Sequence, residues 1–322
     1  MRFLLLICLL TFSAAAQNIP SYSKLKEAAV DILVNGNLSG SGAIVSEDGE
    51  VLTAAHIFIT KADLEVVDHN NQRSPVKLIA IDRGHDLALL KIDSAKKFPF
   101  LKISEKDISA GNQIFHFGSA FYRRGMLQNG FVSEEKPSFE FYNGHSSHSV
   151  RVMHVTATMQ PGTSGGPWVN RNGQIIGVQS GIMTINNSNS GMAYLSPLEA
   201  VKKLIKEKKS AETPTMEITI ESIWNQQANV IANYPGYKNA VVIVALRKGG
   251  TGEECGLQKD DLIISFNKEK VNTENELYTK LRAVKAGENV DLLIYRPSEK
   301  KELTVSVKTR SIEERFHSVF RR

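Results

Sequence analysis

Between residues 41 and 178 the chain is a succession of short apolar runs, and this rhythm limits the fold more than any other feature. The runs fall at 41–45, 51–53, 64–67, 76–81, 87–92, 113–117, 130–133, 150–155 and 174–178, and Gly, Asn, Asp or Pro punctuates most of them. Glu47-Asp48-Gly49 between the first two reads as a β-hairpin turn. Strands this closely spaced, with almost no helical periodicity between them, predict an all-β barrel or sandwich. The first helix is expected over 196–208, where Ser196-Pro197 starts it, Leu198, Val201, Leu204 and Ile205 share one face, and lysines gather at the end. A charged, apolar-poor stretch with Pro214 then reads as a linker. Beyond it the rhythm changes: strands at 241–246, 261–266, 291–295 and 302–307 alternate with helices at 252–255 and 274–284. That is a small α+β module of about 90 residues, a plausible independent unit.

The start of the chain is a targeting pattern. Arg2 precedes the apolar run 3–12, and Ser13-Ala14-Ala15-Ala16-Gln17 supplies small residues for cleavage after Ala16. The run is about half of the roughly 20 residues that span a bilayer, so a signal peptide is expected rather than a membrane anchor. Cys8 has no small residue before it of the kind a lipobox needs. Cleavage leaves Cys255 alone, with no internal disulfide to form. An exported chain without disulfides points to a bacterial periplasm, with secretion as the alternative. The N-x-Ser triplets at Asn37 and Asn186 matter only in a glycosylating host. The formal charge of +5 is mild for 322 residues, with basic and acidic residues interspersed, so nucleic acid is not an expected partner. The expected plan is a signal peptide at 1–16, a β domain at 17–208, a linker at 209–218, the α+β module at 219–308 and a basic amphipathic tail at 309–322. In that tail Ile312, Phe316, Val319 and Phe320 fall at helical spacing, suited to capping a domain or docking on a partner.

The decapeptide Pro161-Gly162-Thr163-Ser164-Gly165-Gly166-Pro167-Trp168-Val169-Asn170 carries the chemistry. Its glycines permit a tight loop that presents the Ser164 hydroxyl, and the N–H groups of Gly162 and Ser164 are candidate oxyanion donors. By itself it also reads as a glycine-rich turn with an exposed serine. A serine nucleophile needs an imidazole base and a carboxylate to orient that base. Of eight histidines only His317 follows Ser164, so the base must come from upstream. His56 ends the run Leu52-Thr53-Ala54-Ala55-His56, and Asp86 heads Asp86-Leu87-Ala88-Leu89-Leu90. Singly, each suits a structural role; together they give the order His, Asp, Ser within one β-rich domain. The match of Gly162-Thr163-Ser164-Gly165-Gly166 to a nucleophile elbow fails. That motif wants a helix after the serine and the Asp and His later in the chain, whereas Pro167 and a β-like run follow. His145-Ser146-Ser147-His148 lacks further ligands for zinc, and Gly40-Ser41-Gly42 lacks a third glycine and a helix for a dinucleotide. No metal or cofactor is expected.

Thr53-Ala54-Ala55-His56, Asp86-Leu87-Ala88-Leu89-Leu90 and Gly162-Thr163-Ser164-Gly165-Gly166-Pro167 resemble the three signatures of trypsin-like serine proteases. More narrowly they resemble the HtrA (Deg) family, exported quality-control proteases with C-terminal PDZ domains. Gly40-Ser41-Gly42, Phe117-Gly118-Ser119, Gly130-Phe131-Val132-Ser133 and Gly191-Met192-Ala193-Tyr194-Leu195-Ser196-Pro197 are similar to further family segments. Gly256-Leu257-Gln258-Lys259-Asp260-Asp261-Leu262-Ile263 resembles the hallmark of bacterial PDZ modules. The likeness covers roughly residues 25–308. It implies a mainly β fold, a chymotrypsin-like double β-barrel followed by a small α+β PDZ-like domain. His56, Asp86 and Ser164 would lie between the barrels and cut unfolded or misassembled proteins. A non-proteolytic, chaperone-like binder with a disordered site is the alternative.

Four departures carry expectations of their own. Thr163 stands where digestive relatives have an aspartate that pairs with a newly cut N-terminus, so activation by zymogen cleavage is not expected. Thr158, six residues before Ser164, is not an acid; with Ser180, Gly181 and Ile182 it is expected to line a pocket for small or medium apolar residues. In the PDZ-like module, Glu217-Ile218-Thr219-Ile220-Glu221 has no glycine where the family binds a peptide C-terminus, and its two acids are expected to repel a carboxylate. The family trimerises through aromatic residues near the mature N-terminus; this chain offers Tyr22 alone, so a homo-oligomer is an expectation carried by the resemblance only.

Overall fold

The computed structural model describes residues 19–58, 63–121, 123–142 and 148–313. The expected signal peptide at 1–16, the tail from 314 onward and residues 145–147 of the His-containing loop lie outside them. A short helix α1 (Tyr22–Ala28) leads into β1 (Ala29–Val34), β2 (Asn37–Ile44), β3 (Glu50–Thr53), β4 (Leu64–Val67), β5 (Arg73–Asp82) and β6 (Leu87–Ile92). These six strands close into a barrel in the order β1-β2-β3-β6-β5-β4. A second set follows: β7 (Gln113–Ala120), β8 (Arg123–Val132), β9 (Ser138–Tyr142), β10 (His148–Thr156), β11 (Pro167–Val169), β12 (Ile175–Ile185) and β13 (Ser188–Ser196). Their order is β13-β12-β11-β7-β8-β10-β9, and pairing of β10 with β13 closes a second ring that leaves β9 outside. The expected double barrel is present.

Strand β6 explains why the chemistry sits between the barrels. Its run Leu87-Ala88-Leu89-Leu90-Lys91-Ile92 is apolar on both faces, which a half-exposed strand would not be. Successive side chains point to opposite faces. Ala88, Leu90 and Ile92 fill the first barrel with Ile32, Ile44 and Val51. Leu87 and Leu89 face the other way, packing with Phe117, Val178, Val201 and Leu204 in the seam between barrels. Asp86, one residue before this strand, is thereby fixed at the seam. Helix α2 (Leu198–Glu207) covers the seam with Leu198, Ala200, Val201 and Leu204; Pro197 starts it and Lys208, in the left-handed region at φ 49°, ends it.

The second domain comprises β14 (Pro214–Thr215), β15 (Ile218–Ser222), α3 (Ala228–Ile231), β16 (Val241–Leu246), α4 (Thr251–Glu254), β17 (Leu262–Phe266), β18 (Glu269–Lys270), α5 (Glu274–Arg282), β19 (Asn289–Arg296), β20 (Lys301–Lys308) and β21 (Arg310–Ser311). Its main sheet runs β15-β16-β17-β19-β20, with β18 on β17. Leu277 and Leu281 of α5 pack on Ile220, Ile243, Ile263 and Leu292. The Thr273 hydroxyl caps α5 by accepting the Glu276 N–H at 3.2 Å, and the Glu276 carboxylate accepts the Asn272 N–H.

Two sequence expectations change. Helix α1 was not expected, because only Leu25 and Ala28 of its seven residues are buried and so short a stripe has little period to read. The stretch read as a linker is fastened to both domains. Ser210 Oγ accepts the Ile81 N–H at 3.2 Å, the Ala211 N–H donates to Ile81, Thr213 and Met216 are buried, and β14 pairs with β21. The beginning of the expected tail is likewise packed, with Arg310 and Ser311 in β21 and Ile312 buried. The domains also meet through α5 and β9: the Phe139 N–H donates to Asn275, and Arg282 donates to the Ser149 carbonyl while lying over the Phe139 ring. Among the described residues, no helix is long and apolar enough to cross a membrane.

Candidate active site

His56 lies in a 3-10 turn (Ala55–Ile57) that directly follows β3, and its side chain is 41% exposed. Asp86 faces it from the head of β6 and is 3% exposed. Its φ of 55° is in the left-handed region, a conformation Asp tolerates better than most residues but that still costs energy. That twist puts the whole carboxylate to use. Oδ1 accepts the His56 backbone N–H at 2.8 Å and Oδ2 accepts His56 Nδ1–H at 2.8 Å. With Nδ1 protonated, Nε2 of a neutral ring is left as the acceptor. Partial desolvation of the ring opposes its protonation, but the Asp86 charge and hydrogen bond outweigh it, so His56 sits above the ordinary imidazole value.

Ser180 also serves Asp86. Its hydroxyl donates to Asp86 Oδ2 at 2.5 Å and its side chain is buried. The Tyr142 hydroxyl, 2.8 Å from Ser180 Oγ, must then donate to it, giving a relay from Tyr142 through Ser180 to Asp86. The expectation that Ser180 lines the pocket is corrected for its side chain. The hydroxyl is spent on the carboxylate, leaving only the backbone to form a wall. Gly181 lies against the Tyr142 and Tyr194 rings, Ile182 is half-buried, and Thr158 is exposed with its carbonyl accepting from Gln128.

The Ser164 loop is clamped onto the strand that delivers His56. Gly165, at φ 82°, lies so close to Thr53 and Ala54 that an added Cβ would come within 2.1 Å of the Thr53 hydroxyl. Only glycine allows that approach. The Ser41 N–H donates to the Ser164 carbonyl at 2.7 Å, and the Ser41 hydroxyl to the Gly162 carbonyl at 2.9 Å. Residues 160–163 form a β-turn in which the Thr163 N–H donates to the Gln160 carbonyl, with Pro161 second and Gly162 third at φ 96°. That is a type II turn, whose third position requires a positive φ. Thr163 is buried, its hydroxyl donating to the Gln160 carbonyl, so the side chain that stands where digestive relatives have an aspartate stabilises the turn locally. The structure thus brings His56, Asp86 and the Ser164 loop together at one seam.

In the second domain, β15 is an open sheet edge with α5 beside it. The Ser222 N–H donates to the Glu274 carboxylate and the Glu274 N–H to Ser222 Oγ, which stitches one end of strand to helix. Glu217 does not present an exposed charge there. At φ 56° its side chain turns inward, accepting the Thr251 N–H at 2.9 Å and pairing with Arg247 and Arg310. The expected repulsion of a peptide carboxylate therefore does not hold for Glu217, whose charge is neutralised inside the fold. Glu221 remains exposed.

A double barrel with a bonded His56–Asp86 pair, joined to a small sheet-and-helix module, defines a class, and comparison agrees. Residues 40–178 match the model of the trypsin-like peptidase domain and residues 216–309 that of the PDZ domain. The chain has the fold and domain order of the HtrA/DegP-type serine proteases. It is 29% identical over 272 residues to a probable periplasmic serine endoprotease, DegP-like, of Chlamydia trachomatis, covering 83% of this chain and 53% of that protein. It is 27% identical over 289 residues to serine protease HTRA1 of Xenopus tropicalis, covering 85% and 60%. The chain thus spans a little over half the length of these curated relatives. Among solved structures it resembles the HtrA-type protease AlgW with a decapeptide (TM-score 0.64, 17% identity, 90% of this chain and 98% of that one). It also resembles the serine endoprotease from Yersinia pestis (TM-score 0.60, 20% identity, 90% and 98%).

Proposed function

We propose that the chain is an exported serine endopeptidase that hydrolyses peptide bonds of unfolded or misassembled proteins. The observation that carries this reading is Asp86, whose single carboxylate holds both the backbone and the ring of His56 in place. In the proposed mechanism, neutral His56 takes the Ser164 proton through Nε2 as the hydroxyl attacks the substrate carbonyl. Asp86 keeps the ring in the required tautomer and stabilises the imidazolium. The N–H groups of Gly162 and Ser164 hold the oxyanion, and His56 then protonates the leaving amine. Water repeats the cycle on the acyl-enzyme.

For specificity we propose a small or medium apolar side chain before the cleaved bond, supported by the absence of an acid at Thr158 and by the half-buried Ile182. The names of the relatives and the targeting pattern at 1–16 support a periplasmic location. For the PDZ domain we propose a peptide ligand adding along the open edge of β15, with Glu217 no obstacle. Labelling with a fluorophosphonate probe tests the assignment. Wild type should be modified stoichiometrically at Ser164, and Ser164→Ala should lose both labelling and casein cleavage while keeping its melting temperature. Retained cleavage by Ser164→Ala would sink the reading.

A further inference from the structure

Resting on that acyl-transfer reading, we infer that His116 is a positioning residue for the oxyanion hole, holding the Thr163 carbonyl through Nε2–H and thereby aiming the Ser164 N–H. His116 lies in β7, opposite Trp168 of β11, with its ring edge-on to the indole at 5.4 Å. It is fully buried, and Nε2 lies 3.3 Å from the Thr163 carbonyl oxygen. A carbonyl only accepts, so Nε2 carries the proton. Burial pushes the ring down to about 3 against the pull of that carbonyl and of the Gln128 side chain, so His116 stays neutral throughout the range in which a protease works.

The geometry of the peptide group turns this contact into an aiming device. Peptides are planar, and no cis bond occurs among the described residues, so the C=O and N–H of one peptide point in opposite directions. Holding the Thr163 carbonyl toward β7 turns the Ser164 N–H away from β7. The preceding donor is treated the same way: the Phe121 N–H, just beyond the end of β7, donates to the Pro161 carbonyl at 2.9 Å. The Gly162 N–H is therefore also turned from β7. Both proposed oxyanion donors are aimed from one strand, one by a side chain and one by the main chain. Gly166 makes room for the ring, since a Cβ there would lie 2.5 Å from His116 Nε2. The Gly166 N–H also donates to the Thr163 carbonyl, at 3.0 Å, so His116 is the second of two anchors; without it, a loop this rich in glycine has one main-chain bond to keep the Ser164 donor from rotating out of the hole.

Only the His116 anchor can be removed by substitution. The test is steady-state kinetics on a peptide substrate, together with the affinity of a peptide boronic acid whose tetrahedral adduct places an oxygen in the hole. His116→Leu keeps the bulk and removes the donor. We expect kcat to fall about tenfold or more with KM unchanged, and boronate affinity to fall in parallel. His116→Gln, whose amide reaches the former Nε2 position, should restore most of both, whereas the shorter His116→Asn should not. The Gln and Asn pair carries the test if the Leu variant fails to fold. Full kcat in His116→Leu, a loss confined to KM, or equal losses in the Gln and Asn variants would overturn the inference. A wild-type chain inert toward substrate and fluorophosphonate would overturn the acyl-transfer reading itself, a separate and recognisable outcome.

Discussion

Asp86 and Glu217 are a natural pair of opposites. Both are buried acids at nearly the same left-handed backbone angle, φ 55° and 56°, and each gathers several donors. Their partners differ. Glu217 is met by two guanidinium groups and the N–H that opens α4, so its charge is balanced by cations that never lose theirs. It ties the loop before β15 to the helix and to β21. Asp86 is met by a neutral hydroxyl and an imidazole that is half open to the cleft. The groups that hydrogen-bond to it carry a charge only when His56 takes a proton. The same backbone twist therefore builds a fixed tie in one domain and, on the reading proposed here, a proton-dependent device in the other.

The largest expected effect comes from exchanging charge for amide at each site. Asp86→Asn should lower kcat by about 10⁴, because an amide offers no charge and permits the wrong imidazole tautomer, with melting nearly unchanged. Glu217→Gln should do the converse. Leaving two guanidinium groups without a counter-charge should cost about 2 kcal/mol of PDZ-domain stability, discounted for the partial exposure of both arginines. Cleavage of a short peptide should continue at the wild-type rate. Comparable activity losses in the two variants would erase the contrast.

Ser180→Ala removes one of the donors to Asp86 and should reduce kcat about tenfold. It should also raise the acid limb of the pH–rate profile, since a less satisfied carboxylate holds the His56 proton more firmly. A limb that moves down would show that Ser180 acts otherwise. In wild type, activity should fall as pH drops through a value above the ordinary imidazole range, because His56 is raised and must be neutral to act. The sign for stability is opposite. A raised pKa contributes stability that is fully present below the unfolded value and lost as pH rises through the folded one, so the His56–Asp86 pair is tightest where the site is idle.

The smallest effect is expected at His154. It stands between Glu134 and Glu140, and although burial opposes its charge, the two carboxylates raise it to about 9. Its contribution to stability should be complete below the ordinary imidazole value and fade as pH rises through about 9. Glu134→Gln should flatten that alkaline decline in thermal melts. An unchanged decline would assign it to other groups.

Much of this was legible along the chain. Alternating apolar runs marked the strands, Asp48-Gly49 marked a hairpin, and Ser196-Pro197 marked where α2 begins, because strand period, turn angle and helix start are set by neighbours a few residues apart. The order His56, Asp86, Ser164 was legible for the same reason: each residue sits at the end of a readable local pattern. What was not legible depended on where side chains from distant segments point. Ser180 read as a pocket wall and belongs to Asp86, 94 residues away. Glu217 read as an exposed repulsive charge and is buried against Arg247 and Arg310. Tyr142 and His116 carried no sequence signal, since a polar residue inside an apolar strand looks alike whether it is satisfied by solvent or by a carbonyl 47 residues on. The sequence by itself determined a β-rich first domain, barrel or sandwich, a following α+β module and the residues that proposed catalysis requires. Only tertiary structure decided how those residues are aimed, because the hydrogen bonds that hold Asp86 and the Ser164 loop are made between strands that barrel closure, and nothing local, brings together.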